Sequence, residues 1–291
     1  ASRDIIGGNK WVSDNKEDEN INKTMEKAKS KFVGREVKGK KLGVIGLGAI
    51  GVLVTNAASS LGMEVIGCDP FLSVQNALNL SRKVKLVKER EEVFRTCDYI
   101  TVHVPLLDDT KEMINADTIS MMKDGVIILN FARDLLVKED AVIEGLASGK
   151  IAGYATDFPS VKLANTKGVV AFPHLGASTA ESEDNCAIMA VREIRDYMEN
   201  GNITHSVNYP DCNMGACTTA GRVAILHKNV KGMIGQYTTV LGEADINVSD
   251  MTNKAKGDYA YALIDVDSQI TDDVLKKLQA IDDVLRVRVV K

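Results

Sequence analysis

The chain has 291 residues, 45% of them hydrophobic and 26% charged, an ordinary globular composition with length for about two domains. A net charge of -4 and a pI near 5.7 argue against a general nucleic-acid binder, and the one small basic cluster (Arg35, Lys38, Lys40, Lys41) reads as a solvated approach to a strand. No apolar run reaches the ~20 residues needed to span a bilayer, no signal segment opens the chain, and the five cysteines are odd in number and widely spaced; a reduced, cytoplasmic protein with no membrane, nucleic-acid or metal partner is expected.

In chain order, residues 1–33 read as helical or irregular and rich in charge from Asp14 to Lys31. They begin without Met, like the middle of a helix, so a fragment or processed form is expected. Lys41 to Ile45 is a short apolar strand ending in glycines, followed by a helix over about Ala49 to Leu61 and a second strand from Glu64. Further strands are expected at Val84–Val87, Tyr99–Val104, Val126–Asn130, Ile151–Asp157 and Val169–Phe172. Helices are expected at Lys88–Arg95, Ala116–Met122 and Lys138–Ser148. Strands alternating with helices imply an α/β domain whose parallel sheet is doubly wound, a Rossmann-type arrangement.

Residues 178–200 form a long amphipathic helix capped by Ser178 or Thr179. Its stripe of Ala187, Ile188, Val191, Ile194 and Tyr197 suits core or subunit packing. Asn202 to Thr219, with Pro210 and Gly215 among small polar residues, reads as a linker. Beyond it come a strand at Val223–Leu226, a helix at Met233–Ala244, strands at Ile246–Thr252 and Tyr259–Val266, a helix at Thr271–Ala280 and a strand at Val284–Val290. That βαββαβ order is ferredoxin-like.

Gly46-Leu-Gly48-Ala49-Ile50-Gly51 fits G-x-G-x-x-G, and it follows a predicted strand and opens a predicted helix, the context a dinucleotide site requires. Gly46 serves the tight turn, Gly48 the approach of a pyrophosphate, and Gly51 the close packing of helix on strand. Asp69 stands at the end of the second strand, where a carboxylate accepts from ribose hydroxyls and repels a 2′-phosphate. No Arg follows in Pro70-Phe-Leu-Ser, so NAD is expected over NADP.

Three further segments fall at strand ends: His103-Val104-Pro105-Leu, Asn130-Phe-Ala132-Arg133 and Pro173-His174-Leu-Gly176-Ala-Ser-Thr. With the glycine loop and Asp69 they resemble the D-isomer-specific 2-hydroxyacid dehydrogenase family over about residues 34–210. Thr156-Asp-Phe-Pro, His174-Leu-Gly-Ala-Ser-Thr and Asn208-Tyr-Pro are similar to its phosphoglycerate dehydrogenase branch. The chemistry is sound by itself: a histidine suits removal of a hydroxyl proton near neutral pH, and a planar Arg suits paired bonds to a carboxylate. The resemblance implies His174 as acid/base, Arg133 as substrate anchor, Asp157 against the nicotinamide carboxamide, and His103, Val104, Pro105, Ala132 and Gly176 lining the cofactor. It also implies a small-molecule 2-hydroxy acid as substrate and a homo-oligomer. The reaction implied is NAD-dependent oxidation of 3-phospho-D-glycerate to 3-phosphohydroxypyruvate, the first step of serine synthesis. A glyoxylate or hydroxypyruvate reductase, or a non-catalytic NAD-responsive binding protein, are the alternatives.

Two positions depart from the family. The glutamate that orients the histidine is missing after Asp157, with Ser160 nearest its place. Either another acid, Glu181 or Glu183, takes the role, or the histidine works unassisted. Asp134 replaces the glycine after the Arg, an unfavourable neighbour for an anionic substrate unless it points away. Residues 221–291 resemble an ACT domain, carried by His227-Lys-Asn229-Val-Lys-Gly232-Met-Ile, although Lys231 stands where a proline is usual. That likeness implies a serine effector held by His227 and Asn229, with Asn247 on a neighbouring strand. The expected division is therefore 1–33 as crossover from an incomplete, N-terminally truncated substrate domain, 34–177 for NAD, 178–210 as return helix and remainder of the substrate domain, 211–220 as linker, and 221–291 as the regulatory domain.

Overall fold

A computed structural model describes residues 2–291; the first residue of the expected crossover lies outside them. The chain divides into one unit ending at Gly176 and a second, Ala177–Lys291.

Seven strands make the sheet of the first unit: β1 (Lys41–Ile45), β2 (Glu64–Cys68), β3 (Lys85–Val87), β4 (Tyr99–Val102), β5 (Val126–Asn130), β6 (Ile151–Thr156) and β7 (Val169–Ala171). All neighbours are parallel, in the order β3-β2-β1-β4-β5-β6-β7. The order reverses between β1 and β4, which creates the crevice where open α/β sheets take ligands. Both faces are covered, so the strands read as apolar runs rather than alternating ones. Ile45, Ile100 and Ile128 point into one core with Phe94, Ile114 and Val142, while Val44 and Ile127 point into the other with Leu47, Val52 and Val65.

The helices are α1 (Ile5–Asp14), α2 (Ile21–Ala28), α3 (Ala49–Ser60), α4 (Val74–Asn79), α5 (Arg90–Thr96), α6 (Ala116–Met121), α7 (Glu139–Ser148) and α8 (Val161–Ala164). The expected strands and helices lie within a few residues of these. The sequence patterns miss α4 and α8 because they are too short to show a period. Each is started by a serine, Ser73 accepting from Asn76 N and Ser160 accepting from Leu163 N, both at 3.1 Å.

The second unit begins with α9 (Ala180–Asn200), whose cap is Thr179, accepting from Ser182 N. It continues through β8 (Gly221–Lys228), α10 (Met233–Glu243), β9 (Val248–Lys256), β10 (Tyr259–Val266), α11 (Asp272–Gln279) and β11 (Val284–Val289). The four strands form an antiparallel sheet in the order β11-β8-β10-β9. Alternation places Val223, Ile225, Ala262 and Ile264 against Tyr237 and Leu241 of α10 and Leu278 of α11.

One expectation is corrected here. Residues 202–219, and 211–220 with them, are packed rather than an open linker. Ile203 and Cys212 pair as an isolated bridge, and both pack with Ala224, Tyr261 and Leu263 on the second face of the sheet. The cause is Arg222, which is fully buried and ion-paired with Asp265. Its remaining donors are satisfied by Asn200 O at 2.9 Å and Gly215 O at 2.7 Å, so the chain must wrap over it. α9 falls within this second unit: Tyr261 Oη donates to Gly201 O at 2.7 Å, and the Arg288 guanidinium lies 4.2 Å from the Tyr197 ring centre. Of the α9 stripe, Ile188, Val191 and Ile194 are exposed. Among the described residues no helix is long and apolar enough to cross a membrane.

Candidate active site

The loop after β1 is shaped by its three glycines. Gly46 has φ +92°, and a side chain there would meet His103 O at 2.4 Å. A Cβ on Gly51 would stand 1.9 Å from Gly46 O, so α3 can lie this close to the turn only with glycine. A Cβ on Gly48 would meet nothing within 4 Å: the space over the start of α3 is open at that point. The first hydrogen bond of α3 runs from Val52 N to Gly48 O, and Gly48 offers no side-chain cap. The N–H groups of the first turn, at Ala49, Ile50 and Gly51, therefore present a positive dipole end to this open cradle, which fits a diphosphate.

Asp69 follows β2. Its two carboxylate oxygens accept from Leu47 N and Phe71 N, each at 2.8 Å, which fixes the half-buried group against the glycine loop. A carboxylate oxygen has a second lone-pair direction, so both remain able to accept from ribose hydroxyls. His103 follows β4. Its N donates to Ile45 O at 2.7 Å and its Nε2 lies 3.0 Å from Thr101 Oγ1; burial pushes the imidazole pKa down, which favours the neutral ring. Val104 packs on the Gly46 turn, and Pro105 O accepts from the buried Thr110 hydroxyl at 2.7 Å.

All these groups stand at the C-terminal edge of the parallel sheet, and the expected catalytic residues stand there too. Arg133 is exposed, three residues past β5, with Nη1 donating to Ala132 O at 2.6 Å. Asp134, the acidic replacement beside it, turns Oδ1 to Leu135 N at 2.8 Å. His174 is three residues past β7, its side chain 60% exposed and its ring centre 5.2 Å from that of Phe158. Two strand spacings, about 10 Å, separate the ends that carry Arg133 and His174. Gly176, expected at the cofactor, is exposed with open space around it.

His174 has a carboxylate beside it within its own unit. Asp157 Oδ2 lies 2.8 Å from His174 Nδ1, and Asp157 is 6% exposed. Its other oxygen, Oδ1, is buried without a partner. Thr156 and Ala171 are registered partners of β6 and β7, so the residues just beyond them meet. Ser160 is committed elsewhere, capping α8 and donating to Glu139 Oε2 at 2.5 Å. Two polar residues that sequence reading did not assign a role lie beneath the loops: Asn130 and Thr156, both fully buried and registered with each other across β5 and β6. Polar side chains closing apolar strands were the available signal.

In the second unit the three expected effector residues do not form one site within the chain. His227 is 2% exposed; Nδ1 donates to Lys228 O at 2.8 Å, Nε2 is 2.9 Å from the Asn253 side-chain amide, and the ring packs on Tyr237. Asn229 is exposed beside the Lys228–Tyr259 end of the sheet and donates to Gly257 O at 3.1 Å. Asn247 precedes β9 at the Val248–Val266 end, where its N donates to Asp267 Oδ1 at 3.2 Å. The length of β10, roughly 20 Å, lies between them.

The family model described as D-isomer specific 2-hydroxyacid dehydrogenase, NAD binding domain, matches residues 1–176. The D-3-phosphoglycerate dehydrogenase of Haemophilus influenzae is 33% identical over 272 residues, covering 90% of this chain and 65% of that protein. That of Escherichia coli strain K12 is 29% identical over 266 residues, covering 87% of this chain and 63% of that protein. The chain thus spans somewhat less than two thirds of these relatives' lengths. Among solved structures, a glyoxylate reductase from Paecilomyes thermophila superposes with TM-score 0.54 at 29% identity, covering 60% of this chain and 54% of that one. The matched segment contains the open glycine cradle, Asp69 and the Asp157–His174 pair, and by that match the chain belongs to the D-isomer specific 2-hydroxyacid dehydrogenases, its first unit being the family's NAD-binding domain.

Proposed function

We propose that this chain oxidises 3-phospho-D-glycerate to 3-phosphohydroxypyruvate with NAD, and the observation that carries the oxidoreductase reading is the Asp157–His174 pair at the sheet edge. With its Nδ1 edge beside the carboxylate, the ring leaves Nε2 as the atom that takes the substrate's hydroxyl proton. Arg133 pairs with the substrate carboxylate and orients the carbon that bears the hydroxyl. NAD, when bound, supplies the acceptor for the hydride. The cradle at Gly48 and the first turn of α3 hold its diphosphate, and Asp69 holds the adenosine ribose.

The choice of phosphoglycerate is supported by the likeness to the two named dehydrogenases. The 29% identity to a glyoxylate reductase favours a second reading, reduction of glyoxylate or hydroxypyruvate. Following NADH consumption with phosphohydroxypyruvate, hydroxypyruvate and glyoxylate separates the two. Preference for phosphohydroxypyruvate, abolished in His174→Ala, is expected. Preference for glyoxylate would transfer the case to the second reading, and no turnover with any of the three would sink both.

The βαββαβ unit supports an ACT-type regulatory reading with serine as effector and a homo-oligomer as the working form. With His227 committed inside the fold, the recognition falls to the Asn229–Gly232 loop at the start of α10, where a Cβ on Gly232 would meet nothing within 4 Å. Calorimetry with L-serine tests this; no heat at millimolar serine would remove the effector.

A further inference from the structure

We propose that Asn130 is a positioning residue that sets the reach of the Arg133 guanidinium. The inference rests on the reading of Arg133 as substrate anchor. Asn130 closes β5 after four apolar residues and is fully buried, a place where an amide is costly unless each polar atom is satisfied. Both ends are used on the turn that follows. Oδ1 accepts from Ala132 N at 3.2 Å, and Nδ2 donates to Arg133 O at 2.8 Å. Nδ2 also reaches the buried Tyr154 hydroxyl at 3.5 Å.

The amide therefore folds residues 131–133 back onto the strand end and fixes the main chain from which the Arg133 side chain departs. That side chain is exposed and bonds to the same turn, through Nη1 to Ala132 O. Its position is thus inherited from the turn. Thr156, opposite Asn130 in the register, does the same for the neighbouring loop: its hydroxyl accepts from Phe158 N at 3.1 Å, beside Asp157. The anchor and the histidine partner are launched from adjacent strand ends, each loop tied down by the buried side chain that ends its strand.

Four variants of the full chain test the idea: Asn130→Ala, Asn130→Asp, Arg133→Ala, and Asn130→Ala with Arg133→Ala. The Asp variant keeps the volume and the acceptor for Ala132 N–H but replaces the donor to Arg133 O with an oxygen. Steady-state kinetics give KM and kcat for the hydroxy acid, and calorimetry gives Kd for NAD. Both Asn130 variants should raise KM by about 10-fold to 100-fold, as a misplaced binding group does, with Kd for NAD within twofold in Asn130→Asp, which keeps the bond to the cofactor-lining Ala132. In the double variant Asn130→Ala should add nothing to the effect of Arg133→Ala, because it acts through that residue. Additive losses, an unchanged KM, a parallel loss of NAD binding in Asn130→Asp, or failure of both Asn130 variants to fold would overturn the proposal. If Arg133→Ala itself leaves KM unchanged, the anchor reading falls; if Arg133→Ala is damaged and Asn130 variants are not, the positioning role alone falls.

Discussion

Asp157 and His174 stand just past the ends of neighbouring strands and meet with Oδ2 2.8 Å from Nδ1, the carboxylate buried and the ring exposed. A buried carboxylate beside Nδ1 of a solvent-facing imidazole turns the Nε2 edge away from itself. Asp157→Asn keeps the shape and removes the charge. Turnover should fall by about 10²-fold to 10⁴-fold, the range seen when an acid/base catalyst loses its function or its orienting carboxylate. Stopped-flow measurement of NADH formation checks it, with circular dichroism to confirm the fold. A loss under threefold would remove Asp157 from the mechanism.

The glycine loop predicts opposite outcomes for two similar changes. Gly51→Ala places a methyl 1.9 Å from Gly46 O, so it should destabilise the first unit by about 1–3 kcal/mol, the cost of overpacking. Gly48→Ala meets nothing in the protein, so the melting temperature should hold while Kd for NAD rises by tenfold or more, about 1.4 kcal/mol. Thermal melts and calorimetry on the two variants read both quantities. Undiminished NAD affinity in Gly48→Ala would place the diphosphate elsewhere.

Arg222 and Asp265 form the buried ion pair of the second unit. Arg222→Met leaves the Asp265 carboxylate buried without its cation and frees the 202–220 segment, at a cost of about 3–5 kcal/mol. Hydrogen exchange of β8 and β10 amides should rise accordingly. Replacing both residues, Arg222→Met with Asp265→Leu, should recover much of the protection, since the orphaned charge is gone. No change in the single variant would show the segment is held by apolar packing alone.

His205 gives a pH dependence. Glu193 Oε1 lies 2.7 Å from its Nδ1 and raises the imidazole pKa above the ordinary value of 6.5, first through that hydrogen bond and then through the charge. A raised value in the fold means the contact is fully present below the ordinary value and is lost as pH rises through the raised one. Both the His205 ring and its loop should therefore loosen as pH rises past that raised value. An NMR titration of the ring, with Glu193→Gln for comparison, should show the midpoint falling in the variant. An identical midpoint would contradict the pairing.

The sequence by itself determined the elements and the cofactor. A strand, a G-x-G-x-x-G turn and a helix are contiguous, so the cradle at Gly46–Gly51 and the acid at Asp69 are written in local order, and hydrophobic period marks β1 to β7 and the βαββαβ run after residue 220. Only the tertiary structure decided which loops meet. Asp157 becomes the partner of His174 because β6 and β7 are neighbours in register, a fact no spacing along the chain contains. Asn229 and Asn247 part because antiparallel pairing sends them to opposite ends of β10, and the 202–219 stretch packs down because Arg222 must be neutralised by Asp265 and backbone carbonyls. Periodicity and turn chemistry act over a few residues, whereas burial, charge pairing and strand order are settled between segments distant in sequence.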